Sequence, residues 1–494
     1  MAVVLPALLC LASGFLLVRL GWSRTGPLSA DRLLRASLSV GYGLGLFSVV
    51  FFLARVFNIT NLLLVDLVVL ALLTAAVFLA WARTRSANAI AISASIGEQG
   101  PVWFQRALLA ALGVALGAGL CSAILRLRAY PHGDGWDAFA IWNLHARFLF
   151  RGGSHWRGGF SALLPGSHPD YPLLLPAAIA HFWTYLGRDD PLVPSIIGFL
   201  FTFATVGVLF AALSTLRGRA RAMLGATALL ATPFFIEQGT AQYADVPLAF
   251  FFLASVVLLC LCDGNSGDAA QRPAPGLLAV AGVAAAFAAW TKNEGLLFLS
   301  AIVVSRLLIL IQPRGEVLTK RPHPSPREIL IAVAPLIAGI VPVLLVIGYF
   351  KHSIAPPSEL FADPKATVRK LLDLTRYWAI IKWYGKGFLR FGNWRLIPAT
   401  LLLVAFCFVS GKEDRRAGQV GVRTSILALA LTLAGYFAVF LITPYDLYWH
   451  LRFSLTRLLL QLWPATLFLF FLAVQGPSKS TSGISGSEVH SRNR

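Results

Sequence analysis

Apolar residues run in long blocks along nearly the whole chain, with short polar stretches between them. The blocks lie near 2–20, 37–55, 61–81, 107–126, 192–214, 222–238, 246–262, 276–291, 295–311, 328–350, 394–410, 424–443 and 456–474. Their lengths suit a bilayer core about 30 Å thick, which takes roughly 20 helical residues to cross. The pattern predicts an all-α polytopic membrane protein with about thirteen transmembrane helices. Residues 172–187 are apolar but short and contain Pro176. They are expected to form an interfacial or re-entrant helix rather than a crossing.

Basic residues orient these blocks. Arg19, Arg24, Arg32 and Arg35 follow the first block, and Arg83, Arg85 and Arg106 flank the next hairpin. Arg217, Arg219 and Arg221, then Arg314, Lys320, Arg321 and Arg327, then Lys412, Arg415, Arg416 and Arg423, mark later loops. Positive loops stay cytoplasmic. The N-terminus is therefore expected outside and the C-terminus inside. The first block has no basic region before it and no convincing cleavage site, so it reads as an anchor. The expected organisation is an N-terminal group of helices over 1–103 and a membrane core over 104–350 containing an outer loop at 127–190. An amphipathic outer segment at 351–393, C-terminal spans at 394–474 and a disordered Ser- and Gly-rich cytoplasmic tail at 475–494 complete it.

Composition agrees with the blocks. Of 494 residues, 57% are hydrophobic and only 13% charged, against roughly 25% in soluble proteins. The formal charge is +20, from 42 Lys and Arg against 22 Asp and Glu. Membrane orientation and anionic lipid account for that excess, and no basic domain outside the membrane suggests nucleic acid. Cys10, Cys121, Cys260, Cys262 and Cys407 lie in or beside apolar blocks and read as small apolar residues. No inverted repeat of the transporter kind is visible.

Ionisable residues of uncommon placement sort to the outer side. Asp134 and Asp137 follow the span at 107–126, and an i, i+3 spacing would put both on one helix face, with Trp142, His145 and Arg147 beyond them. Such a pair can supply a general base, bind a cation or orient a hydroxyl. His168, Asp170, Tyr171 and Pro172 open the short helix, where Asp170 suits a cap and the group could shape a pocket. Glu237 and Asp245 bracket a short outer connection. Lys292 and Glu294 sit at a hairpin turn between short apolar runs, where a Lys can hold phosphate. The 351–393 segment is basic and aromatic. Asp446, His450, Arg452 and Arg457 crowd the start of the last span, beyond what an aromatic belt explains.

The order of these features resembles the bacterial GT-C glycosyltransferases, a group that includes protein O-mannosyltransferases and the lipid A aminoarabinose transferase. The likeness covers roughly Arg106–Ile311. Asp137–Gly153 is similar to the family's first outer loop, Asp245 stands at its Asp-x-Pro position, and Lys292 at its Thr-Lys position. This chain has Asp-Gly-Trp-Asp where the family has Asp-Glu, so either Asp134 or Asp137 can be the base. The three N-terminal spans look like an addition to the family core. The resemblance implies transfer of a sugar from a polyprenyl-phosphate carrier to an acceptor hydroxyl on a glycan, lipid or protein. It implies inversion at the outer face of the cell (inner) membrane. Lys292, Arg452 and Arg457 would hold the donor phosphate. Glu237, Asp245 and Glu294 would orient the sugar or the lysine. His168, Asp170, Tyr171, Asp446 and His450 would line the substrate site. A divalent metal at the acid pair is compatible with this, but no His or Cys spacing demands one. The competing readings are a transporter or flippase for a lipid-linked substrate and a polysaccharide polymerase or ligase.

Overall fold

The computed structural model describes residues 3–22, 27–84, 101–264, 274–312, 325–394, 399–410 and 420–474. Most of the basic loops expected on the cytoplasmic side, and the tail at 475–494, lie outside the described residues. The chain is all-α. Its first helices are α1 (Val4–Leu20), α2 (Leu28–Val56), α3 (Leu62–Thr84) and α4 (Val102–Ala129). A compact region of short helices holds α5 (Asn143–Arg151) and α6 (Leu174–Leu186). Then come α7 (Leu192–Arg217), α8 (Arg219–Leu230), α9 (Pro233–Thr240), α10 (Asp245–Gly264), α11 (Pro275–Thr291), α12 (Asn293–Ile311) and α13 (Pro326–Ser353). The last are α14 (Pro364–Leu372), α15 (Leu374–Arg390), α16 (Ala399–Ser410), α17 (Val420–Ile442) and α18 (Leu447–Ala473).

Among the described residues, nine helices are long and apolar enough to cross a membrane: α2, α3, α4, α7, α10, α12, α13, α17 and α18. The shorter α1 and α11 are also apolar. The expected crossing near 222–238 is not one helix. It breaks between α8 and α9 because Pro233, at the first position of α9, cannot continue the hydrogen-bond ladder of α8. The short apolar stretch near 172–187 forms the 13-residue α6, too short to cross a membrane, as the sequence predicts. Helix α6 has no lipid-facing or solvent-facing apolar stripe; Leu174 to Trp183 are all buried, packed against α2 and α5.

Helix α10 forms the axis of the molecule. Its apolar window is completely buried, and α7, α11, α17 and α18 pack around it. Helices α11 and α13 approach closely through glycine. A Cβ at Gly282 would stand 2.1 Å from the Leu336 carbonyl oxygen, and one at Gly339 would stand 2.0 Å from that of Ala279. Small residues allow such backbone contact in apolar surroundings, where packing drives helix association.

The N-terminal helices are less separate than the sequence suggests. Helix α2 packs on α6 and α7, the Tyr42 hydroxyl donates to the Val280 carbonyl at 2.7 Å, and Trp290 Nε1 donates to Ser48 Oγ at 2.9 Å. Fully buried Asp66 on α3 meets His181 Nε2 on α6 at 2.9 Å and accepts from the Tyr185 hydroxyl at 2.6 Å. By contrast, α3 and α4 keep most of their apolar side chains exposed, as lipid-facing helices do.

Candidate functional site

One end of the bundle gathers the ionisable residues. The chain leaves α4 at Tyr130 and turns through Gly133 (φ +92°) and Gly135 (φ +98°). Both conformations lie in the left-handed region, which glycine enters without steric cost. Space there is also short: a Cβ at Gly135 would lie 2.5 Å from the Tyr243 hydroxyl. The turn is clamped by Gln242, which donates to the Pro131 carbonyl at 3.0 Å and Ser195 Oγ at 2.7 Å, and accepts from Asn143 at 2.7 Å. Helix begins only at Trp136 and passes through one π turn, Ala138–Trp142. Asp134 and Asp137 therefore do not share a helix face, as the i, i+3 spacing suggested. The two glycines place Asp134 in the turn and Asp137 on the helix. Asp134 pairs with Arg126 at the end of α4, whereas Asp137 faces Arg457.

Asp137 joins a continuous chain of ion pairs. Its Oδ2 lies 2.7 Å from Arg457 Nη2. Arg457, on α18, also holds Asp245 Oδ2 through Nη2 at 2.7 Å and Nε at 2.8 Å. Asp245, fully buried at the start of α10, accepts from Gln461 at 2.6 Å and from Lys292 at 3.1 Å through Oδ1. Lys292, in the break between α11 and α12, reaches Glu294 Oε1 at 2.9 Å. Burial opposes the charge on Lys292, but the carboxylates of Asp245 and Glu294 outweigh it and raise the ammonium above its usual value. Three carboxylates thus enclose two cations. Isolated buried charges would be prohibitive, so each group depends on the others.

Aromatic rings wall this knot. Tyr243 lies under Arg457, with the guanidinium 4.7 Å from the ring centroid, and Tyr171 lies 5.9 Å from Lys292 Nζ. Tyr171 stacks between Trp142 and His168, at 5.8 and 4.8 Å. His168 takes a left-handed φ of +47° to stack there. Burial, then the charges of Glu294, Asp170 and Asp137, push the Tyr171 hydroxyl well above its usual range. It stays a protonated donor. Burial and Asp137 likewise push Tyr243 up to about 12. One oxygen of Glu294, Oε2, is buried and meets no hydrogen-bond partner.

Other sequence candidates are placed differently. Asp170 does not cap α6, whose first residue is Leu174. It accepts from Asn293 at 2.8 Å and lies 3.6 Å from Lys351, which also donates to Asn293 at 2.8 Å and to the Asp170 carbonyl. Glu237 sits apart from the knot, bound to Asn393 at 2.9 Å at the surface. Asp446 caps α18 by accepting from Trp449 N at 2.8 Å. His450 contacts Thr443 Oγ1 at 2.8 Å. Arg452 is exposed over Phe453. Five residues separate it from Arg457, about 140° around the helix, so the two arginines face different ways. Among the described residues, no group of three or more His, Cys, Asp or Glu is arranged to hold a metal. The acid pair itself diverges, each carboxylate towards a different arginine.

Residues 167–344 match the family model of dolichyl-phosphate-mannose-protein mannosyltransferases. The match supports GT-C superfamily membership. It indicates a mannosyltransferase-like membrane glycosyltransferase. No curated protein and no solved structure gave a match. The matched stretch contains His168, Asp170, Tyr171, Glu237, Asp245, Lys292 and Glu294. Asp137 and Arg457 lie outside it and are brought to Asp245 by folding alone.

Sequence reasoning missed Gln461, Asn293, Lys351 and Tyr436 as partners of the site. Gln461 binds Asp245 and accepts from the Tyr436 hydroxyl at 2.6 Å. Its signal was available: it is a polar residue inside an apolar run, one helical turn after Arg457. Asn293 and Lys351 carried no such signal, because both stand at helix ends where polar residues are ordinary.

Proposed function

We propose that this protein transfers a sugar from a polyprenyl-phosphate carrier to an acceptor hydroxyl, with inversion, at the extracytoplasmic face of the membrane. The observation that carries this reading is the unbroken chain Asp137–Arg457–Asp245–Lys292–Glu294. It sets a carboxylate beside two cations at one end of the bundle.

Asp137 acts as the base. Arg457 holds its Oδ2, which leaves Oδ1 for the acceptor hydroxyl. As the acceptor oxygen bonds to the anomeric carbon, its proton passes to Asp137. The bond from the anomeric carbon to the phosphate oxygen breaks, and its electron pair leaves with the polyprenyl phosphate. A phosphate is a weak base, so it needs cationic stabilisation more than a proton. Lys292 spends two of its three N–H donors on Asp245 and Glu294 and keeps one. Arg457 uses Nε and Nη2, which leaves Nη1. These free donors meet the leaving phosphate. Asp245 and Gln461 keep both cations in position. Arg452 takes no part, because it lies on another face of α18.

The test is transfer from radiolabelled polyprenyl-phosphate sugars by protein in nanodiscs, with an envelope acceptor fraction. Wild type should label the acceptor, and Asp137→Asn should not, while remaining folded. Equal labelling by wild type and folded Asp137→Asn would refute the assigned base.

A further inference from the structure

Helices α14 and α15 form a strap tied to the end of α17, and its surface carries charge that glycosyl transfer does not require. Lys370 Nζ donates to the Thr443 carbonyl at 2.8 Å, and Arg376 donates to the carbonyls of Leu441 at 3.0 Å and Phe440 at 3.1 Å. Carbonyls at a helix C-terminus lack partners within the helix and attract cations, so packing accounts for these two basic residues. Five others have no such use. Lys365, Arg369, Lys382, Lys386 and Arg390 are exposed, and among the described residues none of them forms an ion pair. The three acids of the 351–393 segment are engaged elsewhere. Asp363 caps α14 by accepting from Ala366 N at 2.9 Å, and Asp373 caps α15 by accepting from Thr375 N at 3.0 Å. Glu359 accepts from the Tyr445 hydroxyl at 2.7 Å.

Helical periodicity sorts each of the two helices into three sectors, in the same rotational order. On α15 one sector turns inward with Arg376, Ile380 and Tyr384, the next exposes Leu374, Trp378, Ile381 and Leu389, and the third exposes Lys382, Lys386 and Arg390. On α14 the inward sector holds Thr367 and Lys370, the apolar one Val368, Leu371 and Leu372, and the basic one Lys365 and Arg369. The apolar sectors are open: Trp378 is 59% exposed, Leu372 76% and Leu374 78%. Lys382 Nζ lies 5.2 Å from the Trp378 ring centroid, where the apolar and basic sectors of α15 meet. An apolar sector bordered by unbalanced cations suits a helix lying in the plane of a bilayer interface. A zwitterionic surface would cover the apolar sectors and leave the five cations unanswered. Anionic headgroups answer both, because the cations then stand against negative charge while the apolar side chains enter the acyl boundary.

We infer that the α14–α15 strap is a binding surface for anionic membrane lipid, with Lys365, Arg369, Lys382, Lys386 and Arg390 holding the headgroups and the Trp378 side of the strap lying among their chains. The test uses the full chain in nanodiscs of equal parts phosphatidylglycerol and phosphatidylcholine, with bromine on the chains of one lipid or of the other. Trp378 is read as the fluorescence that Trp378→Phe removes. Brominated phosphatidylglycerol should quench it about two-fold more strongly than brominated phosphatidylcholine, because the cations enrich anionic lipid beside the strap. High salt should shrink that excess. The combined variant Lys365→Gln, Arg369→Gln, Lys382→Gln, Lys386→Gln and Arg390→Gln, checked for monodispersity, should abolish it while quenching by both lipids persists. Equal quenching by the two lipids in the wild type would overturn the inference and leave the cations for a soluble acidic partner. An excess that survives in the monodisperse combined variant, or no quenching by either lipid, would overturn it as well. Sugar transfer enters none of these readings, so the glycosyl-transfer proposal stands or falls separately.

Discussion

Two groups of ionisable residues occupy the start of α18 and its surroundings, and they are built on opposite plans. Asp446 and Arg452 are exposed and His450 is partly buried, and all three serve their own helix end: a cap, a guanidinium over a neighbouring ring and a threonine contact. Arg457, one to three turns further along the helix, is tied to acids from two distant segments, 212 and 320 residues away in the chain. Nearness in sequence made all four look equivalent. The difference is depth. At the surface water screens each charge, and a pair contributes roughly 0–1 kcal/mol. Inside, each charge must be matched, so the site holds together or fails as a unit.

The sharpest test of this contrast is between the two acids. Asp137→Asn should lower transfer by about 10²–10⁴-fold, the range for loss of a general base. Asp134→Asn should cost less than about ten-fold, because it loosens the turn through Arg126 and removes no reacting group. Equal losses in single-turnover labelling would erase the distinction between the knot and its margin. Stability comes next. Asp245→Ala leaves Lys292 and Arg457 facing each other without their shared carboxylate, and should cost about 3–5 kcal/mol in thermal unfolding in detergent. Arg452→Ala should change it by less than about 0.5 kcal/mol.

A smaller effect depends on pH. His145, on α5, is held down to about 3 by burial and then by the charge of His168. The unfolded chain therefore binds a proton that the folded chain refuses. This group's contribution is complete above about pH 6.5 and is lost as pH falls towards 3. Unfolding temperatures should drop between pH 6.5 and 4, by the equivalent of a few kcal/mol at most, and His145→Gln should flatten that limb. At the rim, Asp446→Ala removes the cap of α18 and should cost about 0.5–2 kcal/mol with transfer little altered.

Much of the site was legible because membrane depth makes ionisable residues conspicuous. Lys292 and Asp245 interrupt apolar runs, and a single sequence exposes such interruptions. The roles within the group were not legible. Asp134 and Asp137 have the same side chain, and a regular helix would have made them neighbours. Two left-handed glycines decide otherwise, and nothing in the i, i+3 spacing reports a φ angle. Glu237 was credited with the same site as Asp245 because eight residues separate them. Helix α9 instead carries it to Asn393. Arg452 and Arg457 differ only by their position around a helix whose buried face the local pattern did not define.

The amino-acid sequence by itself determined the class of molecule and the position of its helices. Burial in a bilayer acts residue by residue, and a run of apolar side chains needs no distant partner to declare itself. It also determined that charge gathers beside certain helix ends. Only the tertiary structure decided which of those charges meet. The ion-pair chain joins the turn after α4, the start of α10, the break between α11 and α12, and the third turn of α18. Long-range pairing is a property of packing, set where small residues and a buried α10 bring these ends together. The same packing left Trp136 and Phe139 exposed on the helical turn that carries Asp137.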